Sequence, residues 1–162
     1  MNQPGIDRRA THPRLARQLV LDELFDLSLY QSVRDVATGD LRKILDQLIP
    51  IETRHFKVWQ DFFDLPVTTL DPARRIKLAL IVGACRLFGA PVIHLVLEAI
   101  EVYGVRKYLR VWSEYGDRPL GVAVRSVLED EFKHEDAVVT GGGRAAAQPG
   151  ARGVSVYPGH SP

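Results

Sequence analysis

Residues 41–63 read LRKILDQLIPIETRHFKVWQDFF. Leu41, Leu45, Leu48, Phe56, Trp59 and Phe63 recur at helical spacing, and Glu52 and His55 stand in the same stripe, between Leu48 and Trp59. On an amphipathic helix Glu and His belong on the wet face. Burying a bare carboxylate costs several kcal/mol, so an inward Glu calls for a cation or a set of hydrogen bonds. Pro50 lies inside the same segment and should kink it one turn before Glu52.

The pattern repeats on either side of this segment. A first helix is expected over Leu15 to Ala37, with Leu19, Glu23, Leu27 and Tyr30 in its stripe. Thr38-Gly39-Asp40 supplies a turn and an N-cap for the second helix, Leu41 to Phe63. Asp64 to Asp71 forms a connection, and Pro72 suits the first turn of the next helix. That third segment, Pro72 to Glu114, should bend at Gly89-Ala90-Pro91, and Glu98 and Glu101 continue its line of Leu87 and Pro91. After Tyr115-Gly116-Asp117, a last helix is expected over Pro119 to Val139, with Glu131 and His134 among Val124, Val127 and Val138. No stretch sustains the period of two that a strand needs. The expectation is an all-α, antiparallel four-helix bundle over residues 15–140, with a disordered lead at 1–14 and a flexible Gly- and Pro-rich tail at 141–162.

Glu-x-x-His places a carboxylate and an imidazole on one helix face, where both can grip one metal ion. It occurs at Glu52/His55 and again at Glu131/His134; with so few Glu and His in the chain, fewer than one such pair is expected by chance. The two halves of the chain also share a longer pattern. Tyr30 follows Glu23 by seven residues, and Tyr108 follows Glu101 by seven; the Glu/His pairs then follow at nearly equal distances in both halves. Two helix hairpins related by a pseudo-twofold axis would each supply a carboxylate, a tyrosine and a Glu/His pair to one shared site. One inward Glu per helix leaves a negative charge that two divalent cations balance.

Glu, then Glu-x-x-His, then Glu, then Glu-x-x-His resembles the ferritin-like di-iron carboxylate superfamily. Glu98, three residues before Glu101, and Tyr30, seven after Glu23, are similar to rubrerythrins. The run RLFGAPVIHLVLEAIEVYGVRKY at 86–108 is similar to the ferritin-like domain fused to vacuolar-iron-transporter-type membrane proteins. The resemblance implies two iron ions held by Glu23, Glu52, His55, Glu101, Glu131 and His134, with Glu98 an additional carboxylate and Mn or Zn as alternative metals. Tyr30 and Tyr108 would donate to ligand carboxylates. Some family features are missing. Cys85 alone cannot build the four-cysteine iron site of a full rubrerythrin, and Met1, the only methionine, gives no haem ligand, so no haem is expected. Residues 141–162 contain no apolar run of the length a transporter-like membrane domain needs.

Composition narrows the function classes. A net charge of +1 with scattered basic residues gives no basis for nucleic-acid binding. Met1 to Pro13 lacks the apolar run of a signal peptide, and a lone cysteine fits a reducing compartment, so the expected location is cytoplasmic. Leu78 to Ile100 is the most apolar stretch, but Arg86, His94 and Glu98 interrupt it; it is expected to be buried or to touch a membrane surface. Trp59, Trp112, Phe56 and Phe63 are expected in the core.

Three functions follow as expectations. The first is a di-iron oxidoreductase of the ferroxidase or peroxidase kind, passing electrons from Fe(II) to O2 or H2O2. The second is a membrane-associated hydroxylase of a lipophilic, quinone-like substrate. The third is an iron-binding module without turnover, for instance one serving a transporter. A homodimer is the expected assembly.

Overall fold

A computed structural model of the chain describes residues 13–116 and 118–129. They form five helices: α1 (Pro13–Arg34), α2 (Gly39–Phe63), α3 (Pro72–Phe88), α4 (Ala90–Tyr115) and α5 (119–129). No strand occurs among the described residues. The expected lead and tail, and the last helix beyond residue 129, lie outside them.

The boundaries follow from local chemistry. Thr38 is extended (φ −130°, ψ 165°) and Gly39 takes φ +58°, turning the chain from α1 into α2. α2 runs through Pro50 as helix, and the Thr53 hydroxyl donates to the Ile49 carbonyl at 2.7 Å beside it. It stops at Asp64, whose left-handed backbone (φ 51°, ψ 48°) lets its N–H bond back to the Gln60 carbonyl. Asp71 caps α3 by accepting from the Arg74 N–H at 3.0 Å, with Pro72 in the first turn. The same Arg74 donates through its guanidinium to Asp71 at 2.7 Å and to Asp22 of α1 at 2.6 Å, which fastens the start of α3 to α1.

The bend expected near Gly89 is a complete break. Gly89 (φ 69°, ψ −148°) donates its N–H to the Cys85 carbonyl, closing α3, and its own carbonyl accepts from the Val92 and Ile93 N–H groups, opening α4. That backbone region is open essentially to glycine alone. Pro91 is tolerated because it falls in the first turn of α4, where helix N–H groups have no partner within the helix.

The core comes in two apolar clusters. One gathers Ala16, Leu19 and Val20 of α1, Trp59 and Phe63 of α2, Val105, Tyr108 and Val111 of α4, and Leu120, Val124, Val127 and Leu128 of α5. The other holds Phe25, Leu29, Tyr30 and Val33 of α1, Leu45 and Leu48 of α2, Val82 and Cys85 of α3, and Ile93 and Leu97 of α4. α1 therefore passes from the first cluster to the second, whereas α2 and α4 pass from the second to the first. Glu23, Glu52, His55 and Glu101 are buried at the crossing points. Trp112, expected in the core, is instead exposed at 44%, because the inward line of α4 runs through Tyr108 and Val111 and leaves the next residue on the outside.

Two measurements probe this frame. A Cβ at Gly89 meets no atom within 4 Å, so Gly89→Ala introduces torsional strain without a clash; it should cost about 1–3 kcal/mol in denaturant unfolding. The Arg74 backbone N–H and guanidinium hold the Asp71 carboxyl below its ordinary 3.8. A lowered folded-state value stabilises above the unfolded value and is lost as pH falls through the folded one. Asp71→Ala should therefore melt below wild type at pH 7, with the gap closing as pH drops under 3.8.

Candidate metal centre

The polar crossing layer is assembled from three helices. α1 contributes Glu23, α2 contributes Glu52 and His55 one turn apart, and α4 contributes Glu101; each is at most 2% exposed. Ligand-type atoms of Glu23, Glu52 and His55 all lie within 4.8 Å of one another. His55 Nδ1 is 3.9 Å from Glu23 Oε2 and 3.8 Å from Glu52 Oε1. Two ligands of one ion are about 3–3.5 Å apart when each metal–ligand distance is about 2.0–2.2 Å. Small side-chain rotations would bring these three groups to that spacing.

Two tyrosines hold the carboxylates, and they do so across the repeat. Tyr30 of α1 donates to Glu101 Oε1 of α4 at 2.5 Å. Tyr108 of α4 donates to Glu23 Oε1 of α1. The contact order along the two helices is reversed, so the seven-residue Glu-to-Tyr spacing in each half lets every tyrosine reach the other half's glutamate. Trp59 Nε1 in turn donates to the Tyr108 hydroxyl at 2.7 Å, and the two rings stack at 5.8 Å.

Lys107 is not among the residues expected at the site. Its ammonium reaches Glu23 Oε1 at 3.1 Å and sits 4.5 Å from the Tyr108 ring centroid, with the residue only 9% exposed. Adjacent helix positions point about 100° apart, so pattern alone assigns Lys107 to the flank beside Tyr108; its long stem lets the charge turn inward. Glu23 Oε1 thus accepts from two donors, whereas Glu23 Oε2 is buried with no hydrogen-bond partner among the described residues. Burial alone would raise the Glu23 carboxyl; the Lys107 charge, then His55, then the hydrogen bonds from Tyr108 and Lys107 outweigh it and hold the group below its ordinary value. Glu23 is accordingly an anion. Burial first, then the charges of Glu101, Glu52 and Asp26, push the Tyr30 phenol well above 10, so it stays protonated and donates.

The expected site residues divide into three groups. Glu23, Glu52 and His55 come together, and Glu101 lies in the same buried layer, held by Tyr30. Glu98 is not brought to them: it is exposed. The inward line of α4 advances by four through Ile93, Leu97, Glu101 and Val105, which turns Glu98 to the outside. Glu131 and His134 lie outside the described residues.

The donor set suits a divalent cation. It combines carboxylate oxygens with an imidazole, a mixture that fits Fe, Mn and Zn, and Glu23 Oε2 is a buried carboxylate oxygen that accepts no hydrogen bond among the described residues. No protein-family profile matches the chain, and no curated protein or solved structure is detectably similar to it.

Tyr108→Phe removes the acceptor of a buried indole N–H and one of the two donors to Glu23 Oε1. It should cost about 1–3 kcal/mol in unfolding free energy. With Trp59→Phe the two losses should fall short of additive by about 0.5–3 kcal/mol, measured by a double-mutant cycle in denaturant.

Proposed function

We propose that the chain is a ferritin-like di-iron protein that oxidises Fe(II) with O2 or H2O2. The observation that carries this is the buried Glu23/Glu52/His55 group, in which Glu23 Oε2 accepts no hydrogen bond and lies 3.9 Å from His55 Nδ1. In this reading the five helices are the four of an antiparallel bundle, the third divided at Gly89. Glu23, Glu52 and His55 hold one ion. Glu101 with the second Glu/His pair, Glu131 and His134, holds the other, as the internal repeat suggests. A bound iron pair supplies redox equivalents; the protein contributes a dry layer and fixed anions. Tyr30 and Tyr108 orient Glu101 and Glu23 and leave the second oxygen of Glu23 for the metal. Lys107 offsets one carboxylate charge at Oε1, so the layer is less repulsive than three bare anions would be.

The hydroxylase alternative also has an observation in its favour. A cavity of about 550 Å³ opens between α1, α3 and α4, lined by Phe25, Ile81, Val96, Ile100 and Tyr103, and also by Asp22. Asp22 and Ile100 adjoin Glu23 and Glu101 in sequence, so a lipophilic molecule bound there would lie close to the carboxylate layer. Product analysis with a quinone-like substrate separates this reading from Fe(II) oxidation.

Anaerobic loading with Fe(II), removal of excess and iron counting should give two irons per chain, with ferric near-ultraviolet absorption growing after O2 is admitted. Glu52→Ala should no longer hold two irons and should lose the absorption change while far-ultraviolet circular dichroism stays that of a helical protein. A Glu52→Ala chain that keeps wild-type stoichiometry would remove the site from the layer described.

A further inference from the structure

The outer face of α3 carries large apolar side chains that nothing among the described residues covers. Ile76, Leu80 and Leu87 are 64%, 70% and 75% exposed. Spacings of four and seven stack them in one ridge along the helix. Phe88 closes α3 and Leu95 follows beyond the Gly89 break, both also largely exposed. The opposite face of α3 is the one spent on the core, through Val82 and Cys85. Burial of the inner face therefore leaves a second apolar face, which a solitary domain has no reason to keep.

The charges beside this ridge are of one sign. From Pro72 to Leu97 there is no Asp or Glu, whereas Arg74, Arg75, Lys77 and Arg86 fall within α3. Arg74 is taken up by Asp22 and Asp71. Arg75 and Arg86 flank the ridge on one side and Lys77 on the other, and none of these three has an acidic partner among the described residues. Lys77 rests over the Phe25 ring at 4.7 Å. A helix with an apolar ridge between basic flanks fits the interface of an anionic bilayer, its aliphatic side chains in the acyl boundary and its cations at the headgroups. No described helix is long and apolar enough to cross a membrane, so the contact is one of lying on the surface.

We infer that α3, with the start of α4, is a docking face for an anionic lipid surface, seated through Ile76, Leu80, Leu87 and Phe88 and steered by Arg75, Lys77 and Arg86. The inference does not depend on the metal centre, and its test needs no metal. The full chain is sedimented with vesicles of phosphatidylcholine alone and of phosphatidylcholine containing one-third phosphatidylglycerol. Binding to the anionic vesicles should be at least about tenfold tighter and should weaken as salt is raised. Arg75→Glu with Arg86→Glu, and separately Leu80→Ser with Leu87→Ser, should each weaken it about tenfold or more, with unchanged melting because all four side chains are exposed. A chain that stays in the supernatant with both vesicles, or a charge-reversed variant that binds like wild type, overturns the assignment. So does a solution mass of two chains that Leu80→Ser with Leu87→Ser reduces to one, because the ridge would then belong to a second copy.

Discussion

Three carboxylates and an imidazole lie inside the apolar core, and the helices are arranged around the problem of keeping them there. A carboxylate stripped of water is affordable only when other groups replace the water. Glu101 receives a phenol hydrogen bond from Tyr30, and Glu23 receives one from Tyr108 together with the Lys107 ammonium. Trp59 extends the chain of donors by one, because its indole N–H needs an acceptor in the core and finds the Tyr108 hydroxyl. The apolar core divides into two clusters on either side of this layer.

The cross-connection of tyrosines explains why the two halves of the sequence share a spacing. A glutamate and a tyrosine seven residues apart lie about two turns apart on one helix face. When two such helices meet in reversed contact order, each tyrosine faces the other's glutamate, and both pairs form at once. Tyr30 with Glu101 and Tyr108 with Glu23 are these two pairs. The result is a symmetric clamp with one asymmetric addition. Lys107 approaches Glu23, and the corresponding position on α1, one residue before Tyr30, is Leu29, which is buried in the second cluster. One half of the layer thus carries a built-in cation and the other an apolar contact, so the two halves present different charge to any bound ion.

The break at Gly89 serves packing as well as direction. α3 is fastened to α1 at its start through Arg74 and Asp22, and the Gly89 torsions then allow α4 to begin at once. Val82 and Cys85 before the break and Ile93 and Leu97 after it all join the same cluster. α3 contributes no member of the carboxylate layer; it contributes Val82 and Cys85 to the core and an uncovered basic, apolar face on the outside.

Much of this was legible in the sequence, for a physical reason. Helical periodicity and capping are local, so the all-helical content, a change of direction near Gly89 and the ends at Thr38 and Asp71 could be read from neighbouring residues, although the expected bend at Gly89 is a full break. Glu23, Glu52, His55 and Glu101 stood out because each occupies an apolar stripe, and burial of a charge there is anomalous within a single helix. Which donor answers each charge depends on helix pairing and could not be read from one helix at a time. The sequence placed Tyr30 and Tyr108 near the site, but only the tertiary structure decided that each serves the opposite glutamate. It also turned Lys107 inward on a flexible stem, and sent Glu98 and Trp112 outward by a fraction of a turn. The sequence determined the helices and their apolar stripes, because both are local; packing between distant segments decided which side chains meet, because a hydrogen bond across 71 or 85 residues has no signature in local spacing.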